Sequence, residues 1–298
     1  VRSASLWCLV SKYSLILVFS PAQQVYRGVY RGRVVAVKKV KMDVDADTVG
    51  GEDVMGEAEI LMKASHPNVI KLEAVCPPPD YRLIMEFAAP DIAYVLPKMF
   101  KRLHTLPDQL YLAAYQVALG MEALHNLNIV HGDLRGTNIL LGFPEQLCRI
   151  ADFGLATCRY QAEAHKRLTV GTGAPVANTI SGSMRWAAPE GEESFKSDVF
   201  SYGILLFEIV SNGKLPLPRV RDRSKIQDSY RKKAHWDDIK RVWPENYCRL
   251  MERCFDPDPQ GRPTFSDIVN NLKVREHPPA LRLEWKISKN DERKFKVT

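Results

Sequence analysis

No glycine precedes Gly28 in this 298-residue chain, so its first 27 residues lack the usual means of turning through left-handed backbone. Cysteine is sparse: Cys8, Cys76, Cys148, Cys158, Cys248 and Cys254 contain no C-x-x-C spacing. That pattern excludes a disulfide scaffold and a zinc ribbon, and reads as reduced thiols in a cytosolic protein. Long apolar runs are also missing. Ala4 to Phe19 is interrupted by Lys12 and is too short to span a bilayer; Arg2 before it and Ser20-Pro21-Ala22 after it give it only the outline of a signal peptide. Neither sign of charge dominates, with 42 basic and 35 acidic residues and a net charge of +7. Seven basic residues against two acidic ones lie between Arg219 and Lys233, and more follow from Arg275 to Thr298. With no aromatic interleaving or zinc spacing, these read as a solvated basic loop and a charged tail, not a nucleic-acid surface.

What is present describes an ordinary globular protein: 45% apolar and 26% charged residues, in a length that suits two modest lobes or one large domain. Alternation and β-branched content predict two strands over residues 25–40, around a basic turn at Arg31-Gly32-Arg33. A helix is expected over 51–64, with Val54, Ala58, Leu61 and Met62 on one side. "HPNVIKLEAVC" and "YRLIMEF" read as further strands separated by "PPPD". After Pro90 the pattern turns helical. Pro107-Asp108 opens a long apolar-faced helix. Short strand-like pieces flank Asn138 and Asp152, and a polar loop runs from about Thr157 to Ser183. "KSDVFSYGILLFEIV", "NYCRLMERCF" and "TFSDIVNNL" read as three more helices. The fold class expected is α+β: a small, mainly β lobe with one helix, then a larger helical lobe.

The chemistry concentrates in "HGDLRGTNILL" and "IADFGLA". Asp133, Asn138 and Asp152 supply two carboxylates and a carboxamide on adjoining loops. Hard oxygen donors of this kind orient a hydroxyl and hold Mg²⁺ against phosphates, which is what phosphoryl transfer requires. Any one of these motifs alone recurs by chance.

Taken in order, "VAVK", a helix Glu, "HPNVI", "HGDLRGTN", "DFG", "APE", "SDVFSYG" and "RPTF" resemble a protein kinase catalytic domain of the tyrosine-kinase-like group, from about Val25 to Leu272. The resemblance implies a kinase domain over residues 25–274, with lobes of about 25–88 and 89–274, between an atypical leader (1–24) and a charged tail (275–298). It implies ATP and Mg²⁺ as cofactors, protein substrates, no nucleic acid, no membrane insertion and a cytoplasmic location. Lys38 would hold the α- and β-phosphates and pair with Glu57, for which Glu59 is the rival on the same helix. Val25, Ala36, Met85 and Leu140 would line the nucleotide pocket, with Glu86 and Ala88 offering backbone groups to adenine. Asp133 would take the substrate proton, Arg135 would assist at the phosphate, and Asn138 and Asp152 would bind Mg²⁺. Glu190, Arg262 and Asp198 would be architectural. Leu61, Leu72, His131 and Phe153 would stack between the lobes.

Three departures qualify the likeness. Gly132 replaces the Arg that in many kinases meets a phosphorylated loop residue, although Thr169, Thr172, Thr179, Ser181 and Ser183 offer hydroxyls there. Arg135 stands where Ser/Thr kinases carry Lys and some tyrosine kinases carry Arg, while "SGSMRWAAPE" favours Ser/Thr specificity over a tyrosine or dual-specificity reading. Finally, the glycines of a phosphate-covering loop would fall at Val18, Ser20 and Gln23. Either that loop is degenerate, leaving a weak enzyme or a scaffolding pseudokinase, or the residues before about Gln24 come from a wrong gene boundary.

Overall fold

The computed structural model describes residues 15–19, 23–40, 49–76, 81–100, 107–142, 147–158, 185–211, 213–215, 217, 220, 222–232 and 245–273. Its first layer is a five-stranded antiparallel sheet built from β1 (Leu15–Phe19), β2 (Gln23–Tyr30), β3 (Arg33–Val40), β4 (Leu72–Cys76) and β5 (Arg82–Glu86), in the order β1-β2-β3-β5-β4. Valines at 34, 35 and 37 and apolar residues through β5 supply its packed faces, and Val35, Val37, Ile84 and Cys76 form a small core of their own. Arg31 and Gly32, both at positive φ, close the β2–β3 turn.

The segment 1–24, expected as a leader, contributes β1. Leu15–Phe19 pairs with β2 in a register that sets Val18 against Val25. The run LILVF is rich in strand formers and adds an edge strand without glycine. Of the three expected glycine positions, Val18 lies in β1, Gln23 opens β2, and Ser20 is outside the described residues.

Helix α1 (Val49–Lys63) buries Glu57, Ala58, Ile60 and Leu61, and Ala64 just beyond it is buried too. Met62, expected on that face, is instead 61% exposed. One residue beyond Leu61 is a rotation of about 100°, which carries it off the apolar stripe.

Beyond β6 (Ala88–Asp91) come α2 (Ile92–Phe100), α3 (Pro107–Asn126), β7 (Ile129–Val130), β8 (Ile139–Gly142), β9 (Leu147–Ile150) and β10 (Thr157–Cys158), then α4 (Phe195–Val210), α5 (Arg223–Arg231), α6 (Glu245–Cys254) and α7 (Phe265–Lys273). A sheet β6-β8-β9 and a pair β10-β7 carry the loops on which the chemistry is expected. Helix α4 is buried without a break from Ser197 to Val210, as befits a central helix, and its N-terminus is closed by a capping box between Ser194 and Ser197. α6 packs on α4, and α3 lies against α7 and β9.

The basic stretch expected as a loop between Arg219 and Lys233 folds in part into α5. Asp222 caps it by accepting from the Lys225 N–H, while Ile226 and Tyr230, four residues apart, are buried against the main core. One i, i+4 apolar pair is too brief a signal to stand out among so many charges. The tail and the loop hydroxyls from Thr169 to Ser183 lie outside the described residues. Among the described residues no helix is long and apolar enough to cross a membrane.

Candidate active site

The site lies where the first sheet meets the β6-β8-β9 sheet. The joint is made by "HPNVI". The Asn68 side chain donates to the Cys148 carbonyl, Ile150 N–H donates to Asn68 C=O, and Ile70 N–H donates to Ile150 C=O, each at 2.9–3.0 Å. Arg149 closes the same joint by donating from Nε to Glu86 and from Nη1 to the Pro67 carbonyl. These bonds tie β9, and with it the Asp152 loop, to the first lobe.

β3 places Lys38 on the inner face, in register with Val25 on β2, while Ala36 lies opposite Met85 on β5. Val25, Ala36 and Lys38 thus share one face, as period-two alternation requires. Lys38 is 3% exposed and its Nζ donates to both Glu57 oxygens at 2.8 Å and to Asp152 Oδ1 at 2.9 Å. Glu57 is the α1 carboxylate that meets it; Glu59 points elsewhere on the half-exposed side. Burial by itself would lower the Lys38 pKa, but Glu57 and Asp152 outweigh burial and raise it, so the ammonium stays charged. The converse holds for Asp152, which burial pushes up and Lys38 holds below the usual carboxylate range. Asp152 itself has φ +64, a left-handed kink that turns its carboxylate back toward Lys38.

Below this bridge, Asp133 and Asn138 are fixed to one another. Asn138 Nδ2 donates to the Asp133 carbonyl at 2.8 Å and to Asp133 Oδ2 at 2.9 Å. Asp133 Oδ1 is buried and has no hydrogen-bond donor among the described residues. His131 is a core histidine: its Nδ1 accepts from the Asp133 N–H, which leaves the ring proton on Nε2, facing the Ala151 carbonyl at 3.3 Å. Its ring meets Phe153 edge-on at 5.1 Å; Leu61 shares the buried core with Phe153, and Leu72, partly buried, packs against that core. Asp198, almost fully buried on α4, accepts from the backbone N–H groups of His131 and Gly132 and contacts His125 Nε2 at 2.9 Å. Glu190 and Arg262 form a two-pronged pair at 2.6 and 2.8 Å.

Gly132 has φ +76, and a Cβ there would sit 3.1 Å from the Leu155 carbonyl and 3.5 Å from the Glu193 carboxyl. The Glu193 carboxyl is pushed up by burial and by Asp198 and Asp133. This chain therefore presents a glycine and an acid where the resemblance leads one to expect an arginine.

At the outer wall, Ala88 on β6 faces Gly142 and Leu140 on β8 faces Asp91. The Glu86 N–H is already donated to Lys71 C=O. Sequence reasoning missed Arg27, Trp186 and Glu208 here. Arg27 stands opposite Ala36, on the face shared with Val25, with its guanidinium 5.8 Å from the Phe87 ring centre; strand alternation was the available signal. Arg135 stacks on Trp186 at 4.5 Å, and Glu208 on α4 accepts from Gly136 and Trp186. Nothing in the local sequence brings Trp186 or Glu208 to residue 135, because the contact is tertiary.

Comparison with known proteins agrees with this geometry. The family described as protein tyrosine and serine/threonine kinase matches residues 22–272. The chain belongs to the protein kinase family. The kinase domain is 35% identical over 269 residues to mitogen-activated protein kinase kinase kinase 10 of Mus musculus, covering 85% of this chain and 27% of that protein. Mitogen-activated protein kinase kinase kinase 11 of Homo sapiens is 34% identical over 269 residues, covering 85% and 30%. A probable serine/threonine-protein kinase of Dictyostelium discoideum is 31% identical over 260 residues, covering 83% and 26%. The chain spans between about a quarter and a third of the length of these curated relatives. Membership of this family implies use of ATP and action on proteins.

Proposed function

We propose that this kinase domain, of the tyrosine-kinase-like group, transfers the γ-phosphoryl group of Mg-ATP to Ser or Thr hydroxyls of proteins in the cytosol. The observation that carries the reading is the contact of Lys38 with both Glu57 and Asp152 at 2.8–2.9 Å above a paired Asp133 and Asn138. An intact bridge of this kind favours turnover over scaffolding. Ser/Thr specificity rests on "SGSMRWAAPE" and on the names of the relatives, which also point to another protein kinase as the substrate.

The donor set suits Mg²⁺. Asn138 spends its amide N–H groups on Asp133, so its Oδ1 faces away from that residue, and Asp152 keeps a charged, partly exposed carboxylate. One carboxylate and one carboxamide are the few protein ligands that a magnesium ion shared with phosphates takes. Bound there, Mg²⁺ supplies neutralisation of phosphate charge. Lys38 would hold the α- and β-phosphates, with Val25, Ala36, Met85 and Leu140 around the base and Glu86 and Ala88 at its edge. Asp133 Oδ1, buried and without a hydrogen-bond donor among the described residues, would accept the hydroxyl proton as the substrate oxygen bonds to the γ-phosphorus and the bond to the β-phosphate oxygen breaks, releasing ADP. The test is transfer of labelled phosphate to an inactivated protein kinase of the kind that the relatives' names specify, with phosphoamino-acid analysis. Phosphotyrosine alone would overturn the Ser/Thr assignment.

A further inference from the structure

Glu208 is a buried carboxylate, 3% exposed, that the phosphoryl-transfer reading leaves without a task. Its Oε2 accepts from the Gly136 N–H at 3.1 Å and from Trp186 Nε1 at 3.3 Å. Gly136 opens the 3₁₀ turn Gly136–Asn138, whose last residue bonds Asp133. The Trp186 backbone is held separately, because Ser201 Oγ donates to the Trp186 carbonyl. The Arg135 guanidinium stacks on the Trp186 ring, within the electrostatic reach of Glu208. Residue 136 also abuts this carboxylate. A Cβ there would lie 2.5 Å from Glu208 Oε1 and 2.7 Å from its Cδ, so a side chain at 136 would push the carboxylate from this position.

We propose that Glu208 is a positioning residue for phosphoryl transfer, which sets the Asp133–Asn138 pair by holding Gly136 and locks that loop to Trp186. The inference rests on the proposed kinase activity, but its physical core does not. One carboxylate oxygen holds the backbone of Gly136 and the indole of Trp186, 50 residues apart in sequence, and through Gly136 the group expected to take the substrate proton. Arg135 belongs to the same assembly: stacked on Trp186 beside Glu208, it offsets the carboxylate's charge.

The experiment compares Glu208→Ala, Glu208→Gln, Gly136→Ala and the double variant Gly136→Ala/Glu208→Ala. Readouts are steady-state kinetics and hydrogen–deuterium exchange across residues 131–138. Glu208→Ala is expected to lower kcat by about 100-fold, the scale of a 1 Å misplacement, with the KM for ATP unchanged. Glu208→Gln retains an acceptor at the Oε2 position and is expected to lose only about threefold, since a neutral hydrogen bond replaces a charged one. Gly136→Ala should match Glu208→Ala, and the double variant should be no worse than either single one. Exchange across 131–138 should rise in the Ala variants and stay near wild type in the Gln variant. Exchange is read on folded protein whether or not the chain transfers phosphate, so failure of the kinase reading is distinguishable from failure of this one. Should Glu208→Ala not fold, Glu208→Gln and Gly136→Ala carry the same contrast. Unchanged exchange in Gly136→Ala, losses that multiply in the double variant, or a Gln variant as impaired as Gly136→Ala would overturn the proposal.

Discussion

Lys38 gathers three parts of the molecule by charge: β3 carries it, α1 brings Glu57, and the loop after β9 brings Asp152. Asp198, in contrast, gathers one loop by backbone: two consecutive N–H groups, from His131 and Gly132, point at its carboxylate, and His125 completes the set. The first arrangement joins separate elements through side-chain charge alone. Separating α1 from β3 would take Glu57 from Lys38 and leave the ammonium with Asp152 alone, so the bridge is costly to break halfway. The second joins a loop to a helix that is buried without a break from Ser197 to Val210. The lower half of the site is held by backbone hydrogen bonds to one buried helix, and the upper half by ion pairs between separate elements.

Substitutions would break or sharpen this contrast, beginning with the largest effect. Lys38→Met is expected to lower kcat by about 10² to 10³-fold, as loss of one charged donor to developing charge does. It is also expected to cost about 3–5 kcal/mol of stability, because Glu57 is left buried alone. The double variant Lys38→Met/Glu57→Leu should recover most of that stability and none of the activity, read by thermal unfolding beside the transfer assay. If activity returned with stability, the bridge would be structural only. Asp198→Asn should lower both quantities together, by about 3 kcal/mol and on the order of 10 °C in Tm, since the buried amides lose a charged acceptor. No pairing of replacements would separate its two effects.

Acid unfolding sharpens the charge side. The folded pKa of Asp152 lies below the ordinary 3.8, so its contribution is present above pH 3.8 and is lost as pH falls through the lower folded value. The stability difference between wild type and Asp152→Asn should therefore hold down to pH 3.8 and shrink only below it. Convergence at higher pH would mean that the ion pair contributes little. The smallest effect concerns α1. Met62→Gln on its exposed side should change stability by no more than about 0.5 kcal/mol, whereas Leu61→Ala should cost about 2–5 kcal/mol.

Much of this was legible in the order of short motifs. Lys38, Asp133, Asn138 and Asp152 stand in strings whose residue types declare their chemistry, and strand alternation put Val25, Ala36 and Lys38 on one face. What was not legible lies in tertiary space. Met62 left the apolar stripe through a single step of helical rotation. Helix α5 was hidden because its two docking residues, Ile226 and Tyr230, are outnumbered by charges. The edge strand Leu15–Phe19 was hidden by the expectation of glycines, although its composition is that of a strand. Glu208 read as one more position on a buried helix, because its partners Gly136 and Trp186 are far off in sequence. Cys148 and Cys254 were read as ordinary thiols, and burial does push both up to about 12, which keeps them protonated.

The central claim is that the assembled Lys38–Glu57–Asp152 bridge over Asp133 and Asn138 makes a working phosphotransferase without the expected glycines. The most direct test is transfer from labelled Mg-ATP by this chain beside Asp133→Asn, with both shown to be folded. The account expects transfer to Ser or Thr by the wild-type chain and a loss of about 10² to 10⁴-fold in the variant, the range for a general base. A folded wild-type chain that transfers no more phosphate than Asp133→Asn would contradict it.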